Sequence, residues 1–233
     1  MPSNMYPKTK TWNTAVGCGY GCVYCIPSFQ RQIKRVAGIL NCENCRSYIP
    51  HYHPERLEKI PSAPIIFVFG TGDIYFYKPS YVRKTLSSID NHRPRIRKTY
   101  YFQSKNPICF NEYLDWFKEH QEIVILLTTI ESNRHYPHIS KAPSPKTRFY
   151  DFLNIDYPRK AVTIEPALDF DPDIFITWFQ LLKLYGLEYV WFGFDSKNCG
   201  LPEPSIEKAQ KFVNWLQYEG IEVRGKSLRG IQI

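Results

Sequence analysis

The sequence contains no apolar run that approaches the ~18 residues needed to span a membrane. Its N-terminus is polar and lacks the charged and then apolar layout of a secretory signal. It contains no internal repeat, low-complexity segment or domain linker. These absences argue against a membrane protein and predict a soluble, cytoplasmic protein whose 233 residues form a single domain.

Negative charge is scarce, because 22 acidic residues stand against 30 lysines and arginines and leave a formal net charge of +8. The basic stretches at residues 92–98 and 224–229 contribute most visibly. Such a balance can attract nucleic acid, an anionic nucleotide or an acidic electron donor. A solvated basic surface is the alternative explanation, so charge alone does not identify a substrate.

Strand-like apolar runs alternate with helical patterns, which is typical of repeated βα units and a parallel sheet. The predicted strands are residues 11–16, 64–69, 98–102, 122–128, 161–164 and 188–194, with a short final strand at 222–224. The predicted helices are residues 27–40, 80–89, 111–120, 145–154, 171–185 and 205–218. We therefore expect an α/β fold, a partial (βα)6 parallel barrel that is open on one side and has its active site at the carboxyl ends of the strands.

The seven cysteines, an odd number and mostly clustered, do not form a secreted disulfide framework. Three of them, Cys18, Cys22 and Cys25, form a C-x3-C-x2-C triplet. Thiolates favour zinc or iron–sulfur clusters, and four cysteines normally complete a cubane. With three cysteines, one iron remains open to an exogenous ligand. A zinc site would more often show two C-x2-C pairs, so the spacing favours a cluster, with buried or zinc-bound thiols as the alternative.

At these residues the chain resembles the radical SAM enzymes, which bind a [4Fe–4S] cluster after the first strand of a (βα)6 partial barrel. Tyr24 holds the family's aromatic position before the last cysteine. The resemblance implies that S-adenosylmethionine chelates the open iron and is cleaved by an electron from a low-potential donor such as ferredoxin or flavodoxin. The resulting 5′-deoxyadenosyl radical then abstracts hydrogen from a substrate. Residues 12–13, 53–57, 102–107, 201–205 and 226–229 resemble a phage and archaeal-type branch related to spore photoproduct lyase-like proteins.

A glycine-containing segment, Gly70, Thr71, Gly72 and Asp73, follows the second predicted strand. It resembles the family's GGE-type motif, whose backbone contacts the amino group of the methionine moiety. Glycine lets the backbone approach a ligand closely, and Asp73 can accept hydrogen bonds from an ammonium group. A tight turn without a ligand is the alternative.

Polar residues at the predicted carboxyl ends of later strands are candidates for binding ribose hydroxyls, a carboxylate or the substrate. They are Ser104, Lys105 and Asn106 after the third strand, Thr128, Thr129, Glu131 and Ser132 after the fourth, and Glu165 after the fifth. Lys105 is the candidate for binding an anionic group, and Glu165 for binding ribose or substrate. Thr128 is a further candidate for contacts with the cofactor or the substrate. A solvated loop residue is the alternative interpretation for each of them.

A second cysteine pair lies in an insertion at about residues 41–60. Cys42 and Cys45 are followed by His51 and His53, a set of ligands that suits tetrahedral zinc. Because the histidines are two residues apart, we expect simultaneous ligation to need a turn rather than a strand. A further cluster, with Cys199 as an additional ligand, and two free thiols in a long loop are the alternatives.

The leading hypothesis is a radical SAM enzyme that uses a [4Fe–4S] cluster to cleave S-adenosylmethionine reductively and to abstract hydrogen from a nucleic acid or nucleotide. The competing hypothesis is a non-catalytic zinc or iron–sulfur nucleic-acid-binding protein, motivated by the net charge of +8 and the 16% aromatic content. No residue is nominated as a partner in the hydrogen transfer.

Overall fold

The computed structural model describes residues 8–92 and 96–233. Residues 93–95, which belong to the basic stretch at 92–98, lie outside the described residues. The strands are β1 (Thr9–Trp12), β2 (Ala15–Val16), β3 (His51–Tyr52), β4 (Ile65–Val68), β5 (Thr99–Ser104), β6 (Val124–Thr129), β7 (Lys160–Ile164), β8 (Leu187–Phe192) and β9 (Glu222–Gly225). Seven of them form one curled sheet in the order β1-β4-β5-β6-β7-β8-β9, in which every neighbouring pair is parallel. The sheet is a half-barrel, so the predicted α/β class and partial parallel barrel agree with the structure at this level.

Seven α-helices connect the strands within the described residues. They are α1 (Arg31–Leu40), α2 (Glu43–Ser47), α3 (Pro79–Asp90), α4 (Leu114–Glu119), α5 (Pro145–Leu153), α6 (Pro172–Leu184) and α7 (Ile206–Tyr218). Proline occupies the first position of α3, α5 and α6, where its missing N–H would have no intrahelical partner. The predicted cap of the last helix is confirmed, because the Ser205 side chain accepts a hydrogen bond from the Lys208 amide.

The sheet is buried on both faces. All residues of β6 and β7 are buried, as expected for strands in the centre of a sheet that is covered on both faces, and they include the polar residues Thr128, Lys160 and Thr163. On one face, Phe102 and Leu126 join the main core with helical residues such as Phe175. On the opposite face, Tyr101, Leu127, Tyr189 and Trp191 form a separate apolar cluster with Ile125 and Ala161.

The first predicted strand, at residues 11–16, is wrong as a single element. β1 ends at Trp12, while Ala15 and Val16 leave the main sheet and pair antiparallel with β3 in the insertion. Between them Thr14 is fully buried, and its hydroxyl hydrogen-bonds Thr85 at 2.7 Å. Burial of this polar residue against α3 turns the chain out of the sheet before the cysteines begin.

Two predicted helices begin later than expected. A π-helical turn, Ile26–Gln30, precedes α1, and a 3₁₀ segment, Pro107–Tyr113, precedes α4. The short final strand predicted at 222–224 is confirmed as β9, the edge strand beside β8. None of the helices among residues 8–92 and 96–233 has the length and apolar character needed to cross a bilayer.

Candidate functional site

The cysteine loop, residues 17–25, lies at the carboxyl edge of the sheet beside the glycine loop, residues 70–73. Gly17 forms a parallel bridge with Gly72, and the Gly17 amide donates to the Thr71 carbonyl at 3.4 Å. A Cβ atom on Gly72 would lie 1.8 Å from the Tyr77 hydroxyl and 2.5 Å from the Gly17 carbonyl oxygen. Only glycine therefore permits this approach, and the structure brings the two predicted loops together.

The three triplet thiols are free and shielded from solvent. Cys22 is buried and Cys18 and Cys25 are half-buried. The Cys22 sulfur lies 3.1 Å from the Ser140 hydroxyl. Burial raises the pKa of the Cys18 thiol, and the neighbouring Asp73, Cys22 and Cys25 raise this pKa further. The thiols thus lie within electrostatic reach of one another, and a soft metal would have to displace their protons on binding.

Asp73 ties the glycine loop to the end of β5. Its carboxylate accepts hydrogen bonds from the Ser104 hydroxyl at 2.6 Å, from the Lys105 amide at 2.8 Å and from the Tyr75 amide at 3.0 Å. Burial raises the pKa of Asp73 in spite of these donors. Since three donors of the chain already surround the carboxylate, the role of Asp73 is to hold the glycine loop in place. Gly72 is the glycine of this loop that contacts Gly17 of the cysteine loop.

Lys105 does not extend freely into the site, because it forms an ion pair with the buried carboxylate of Glu131. The same carboxylate accepts a hydrogen bond from the Tyr24 hydroxyl at 2.5 Å and pairs with Arg148 at 2.7 Å. Burial alone would raise the pKa of Glu131, but Arg148 and Lys105 outweigh it and hold this pKa well below its usual range. Glu131 is one of the polar residues predicted at the end of the fourth strand, but its pairing with Lys105 and Arg148 was not predicted.

The remaining strand-end candidates have different surroundings. Thr128 is fully buried, and its hydroxyl donates to the Ser104 carbonyl at 2.8 Å within the sheet. Glu165 is half-buried and accepts a hydrogen bond from the indole N–H of Trp191. Burial raises the pKa of Glu165 to about 7. Glu165 is therefore the strand-end carboxyl that can exchange a proton near neutral pH.

Four side chains of the insertion form a group that can hold a metal ion: Cys42, Cys45, His51 and His53. Their ligand atoms all lie within 4.8 Å of one another. The His51 Nε2 atom lies 3.3 Å from the Cys42 sulfur and 3.4 Å from the Cys45 sulfur, and the His53 Nε2 atom lies 3.3 Å from the Cys45 sulfur. Zinc with Zn–S bonds of about 2.3 Å and Zn–N bonds of about 2.0 Å would separate tetrahedral sulfur and nitrogen ligands by about 3.5 Å.

Both histidines are oriented for ligation through Nε2. The His51 Nδ1 atom lies 2.7 Å from the Ile49 carbonyl oxygen, and the His53 Nδ1 atom lies 2.8 Å from the Glu55 carboxylate. Each of these oxygens only accepts hydrogen bonds, so Nδ1 carries the proton and Nε2 presents its lone pair. Burial lowers the pKa of His53, which favours the neutral imidazole that a metal requires.

The expectation that the two histidines need a turn to act together is wrong. His51 lies in β3, and His53 follows that strand immediately. Residues two apart in extended backbone point to the same side, and this periodicity brings both imidazoles toward the cysteines. Cys42 caps α2 and Cys45 lies within it, so one helical turn supplies the two sulfurs.

Two buried hydroxyls next to the cysteine loop have no hydrogen-bond partner among the described residues. They are the Thr71 Oγ1 atom in the glycine loop and the hydroxyl of Tyr20, a residue that lies between Cys18 and Cys22 in the sequence. Unpaired buried polar atoms are uncommon in folded proteins and are frequently completed by a ligand or water.

No protein-family model, curated protein or solved structure matches the chain.

Proposed function

We propose that the chain is a radical SAM enzyme that cleaves S-adenosylmethionine reductively and abstracts hydrogen from its substrate. One observation carries this proposal: the C-x3-C-x2-C loop lies at the carboxyl edge of a parallel half-barrel and is bridged to the glycine loop through Gly17 and Gly72. Active sites of parallel barrels gather at this edge.

The residues of the site fit a cluster and its cofactor. Cys18, Cys22 and Cys25 would hold a [4Fe–4S] cluster, which supplies a single electron when it is bound. Their shielding from solvent suits a redox centre. The unpaired hydroxyl of Thr71 in the glycine loop would be available to hydrogen-bond a polar cofactor. The backbone of the glycine loop would receive the amino end of S-adenosylmethionine.

Other residues of the site have supporting roles in this proposal. Tyr24 and Lys105 meet at Glu131, and the Lys105 ammonium lies 5.3 Å from the centroid of the Tyr24 ring. This contact would hold the cysteine loop against the end of β5. Glu165, with its pKa of about 7, remains the candidate for ribose or substrate. The Thr128 hydroxyl, already engaged inside the sheet, would act by fixing that strand end.

A low-potential electron donor such as ferredoxin or flavodoxin is the partner that this chemistry requires. No acidic residue precedes Glu43 in the sequence. On α1, which begins six residues after Cys25, the side chains of Arg31, Lys34 and Arg35 are exposed, and none of them forms an ion pair with another described residue. A basic helix face next to the cluster loop would attract an acidic donor.

A nucleic acid or nucleotide is the substrate class that we favour over a peptide or small metabolite. The net charge of +8 supports it, as does Tyr75, which is 48% exposed and stacks on Tyr20 of the cysteine loop. An exposed aromatic ring offers a face for base stacking. The basic stretch at 224–229 contributes less than its sequence suggests, because Arg224 pairs with Glu222 and Arg229 pairs with Glu203.

Anaerobic reconstitution with iron and sulfide tests the proposal. The wild-type chain should bind about four iron and four sulfide, as one cubane contains. It should also release 5′-deoxyadenosine when supplied with dithionite and S-adenosylmethionine. A Cys18→Ala/Cys22→Ala/Cys25→Ala variant should lose both properties, whereas Cys109→Ala and Cys199→Ala should retain them. Retention of a full cluster and of 5′-deoxyadenosine formation by the triple variant would refute the assignment.

The same assay separates the competing function, a non-catalytic zinc or iron–sulfur nucleic-acid-binding protein. That protein would bind RNA or DNA with an affinity that falls steeply with salt. It would form no 5′-deoxyadenosine under reducing conditions. Deuterium transfer from labelled nucleic acid into 5′-deoxyadenosine identifies the substrate class directly. Absent transfer together with salt-insensitive binding would favour a peptide or metabolite.

A further inference from the structure

The metal-binding group of the insertion and the cysteine loop are joined by a two-stranded sheet. In it, His51 pairs directly with Val16, the residue before Gly17. The backbone amide of His53 also donates to the Thr14 carbonyl at 2.6 Å. Both histidines are therefore attached to the chain segment that leads into the triplet.

A second connection runs through the carbonyl of Ile49. This oxygen accepts the hydrogen bond from His51 Nδ1 at 2.7 Å. It also packs against Gly17, where an added Cβ atom would lie only 2.4 Å from it. The Ile49 carbonyl, which orients the His51 imidazole, thus packs directly against the cysteine loop at Gly17.

Tyr48 makes the third connection. It ends α2, the helix that carries Cys45, in the left-handed conformation with φ of 55°. Its ring is buried, and its hydroxyl donates to the Thr71 carbonyl at 2.9 Å and lies 3.7 Å from the Cys25 sulfur. One side chain therefore contacts a triplet cysteine and the glycine loop from the metal-binding side.

These contacts depend on an insertion with little regular structure of its own. The five-residue helix α2 and the two-residue strand β3 are too short to be stable in isolation. Cys45 and Tyr48 pack in one small buried cluster with Val16, Ile33 and Ala37, which the partly buried Cys18 and Cys25 also contact. A cross-link among the four ligands would order α2 and β3 together, and with them Tyr48 and Ile49.

We propose that Cys42, Cys45, His51 and His53 bind one zinc ion whose role is to hold Tyr48 and Ile49 against the cysteine loop and so fix the triplet. Four protein ligands fill a tetrahedral shell and leave no open position, which is the pattern of a structural zinc site. The positions of the four ligand atoms support the zinc site by themselves. Only the benefit of this zinc for an iron–sulfur cluster rests on the proposed function.

The first test is metal analysis of cluster-free protein purified under reducing conditions. About one equivalent of zinc is expected, as one four-ligand site requires. The zinc should be retained in the Cys18→Ala/Cys22→Ala/Cys25→Ala variant and lost in Cys42→Ser. Absence of zinc from the wild type, iron in its place, or retention of zinc in Cys42→Ser would overturn the proposal.

The second test measures the alkylation rate of each cysteine by peptide mapping, again without a cluster. Removal of zinc from the wild type by a chelator should accelerate alkylation of Cys18 and Cys25, the triplet cysteines that contact the insertion, by about tenfold or more, as local opening does. Cys109, which belongs to neither cysteine group and lies in the Pro107–Tyr113 segment, should keep its rate. Unchanged triplet rates would overturn the proposal, as would an equal acceleration at Cys109, because the zinc would then hold the whole fold rather than the loop.

The Tyr48→Phe variant tests the connection without touching a ligand. It should keep its zinc and show faster alkylation of Cys25, while Cys109→Ser, the matched control, should change neither zinc content nor the Cys25 rate. An unchanged Cys25 rate in Tyr48→Phe would overturn the role of this hydroxyl. These readouts need no cluster, so a protein that passes them but forms no 5′-deoxyadenosine would contradict the enzyme assignment alone.

Discussion

The hydroxyl of Tyr24 donates a hydrogen bond to the buried carboxylate of Glu131, across 107 residues of sequence. The contact joins the cysteine loop to the carboxyl end of β6. Arg148 and Lys105 complete the charge balance around the carboxylate. The cysteine loop is therefore anchored on one side by this polar cluster and on the other by the insertion.

Replacing Arg148 by methionine should destabilise the fold. The substitution leaves Glu131 buried with one cation fewer, and breaking a buried ion pair costs about 3 kcal/mol. Chemical denaturation would measure the loss. The control is Arg83→Met, which breaks an exposed pair with Glu112 and should cost less than about 1 kcal/mol.

The stability lost in Arg148→Met should depend on pH in a defined direction. The pKa of Glu131 is depressed in the folded state, so its charge stabilises the fold above the ordinary pKa of 4.5, and this stability disappears as the pH falls. The stability difference between the wild type and Arg148→Met should therefore shrink in acid. A difference that stays constant down to about pH 3 would contradict this account.

Glu165 should produce the opposite pH dependence. Its pKa rises from 4.5 to about 7 on folding because the carboxyl is removed from water. The protonated form is favoured in the fold, so this contribution is fully present below pH 4.5 and is lost as the pH rises through about 7. Thermal unfolding across this range should show a weaker decline for Glu165→Gln than for the wild type. The exposed control Glu112→Gln should follow the wild type, and parallel curves for Glu165→Gln and the wild type would disprove the prediction.

Two glycines should respond oppositely to alanine. Gly72→Ala places a methyl group 1.8 Å from the Tyr77 hydroxyl and 2.5 Å from the Gly17 carbonyl, so the glycine loop must move away from the cysteine loop. Its expected cost is about 1–3 kcal/mol, the usual range for overpacking. Gly38→Ala on α1 meets open space and should stabilise the fold by about 0.5–1 kcal/mol. Denaturant midpoints would measure both effects, and equal shifts would rule out the steric explanation.

The basic face of α1 should accelerate reduction by an acidic donor. If the proposed [4Fe–4S] cluster is present, Lys34→Glu/Arg35→Glu should slow its reduction by flavodoxin about tenfold at low salt. Added salt should reduce the difference in rate from the wild type. Lys84→Glu/Lys211→Glu makes the same change in net charge on α3 and α7 and should have little effect. Equal slowing in the two variants would mean that net charge alone, rather than this face, governs the encounter.

Local sequence patterns were sufficient for the α/β class and for most elements. The apolar runs at residues 122–128 and 161–164 predicted strands, and the structure confirms them as Val124–Thr129 and Lys160–Ile164. The periodic stripes of α6 and α7 likewise predicted helices. The two cysteine patterns were visible because each consists of cysteines at short spacings along the chain.

Only the tertiary structure decided how these pieces meet. Residues 11–16 look like one strand, yet burial of Thr14 against Thr85 divides them between two sheets. That division aligns Val16 with His51 and so places the Cys/His group beside the triplet. The pairing of Glu131 with Arg148 is likewise invisible in sequence, because buried charges find partners through the packing of distant elements rather than through spacing along the chain.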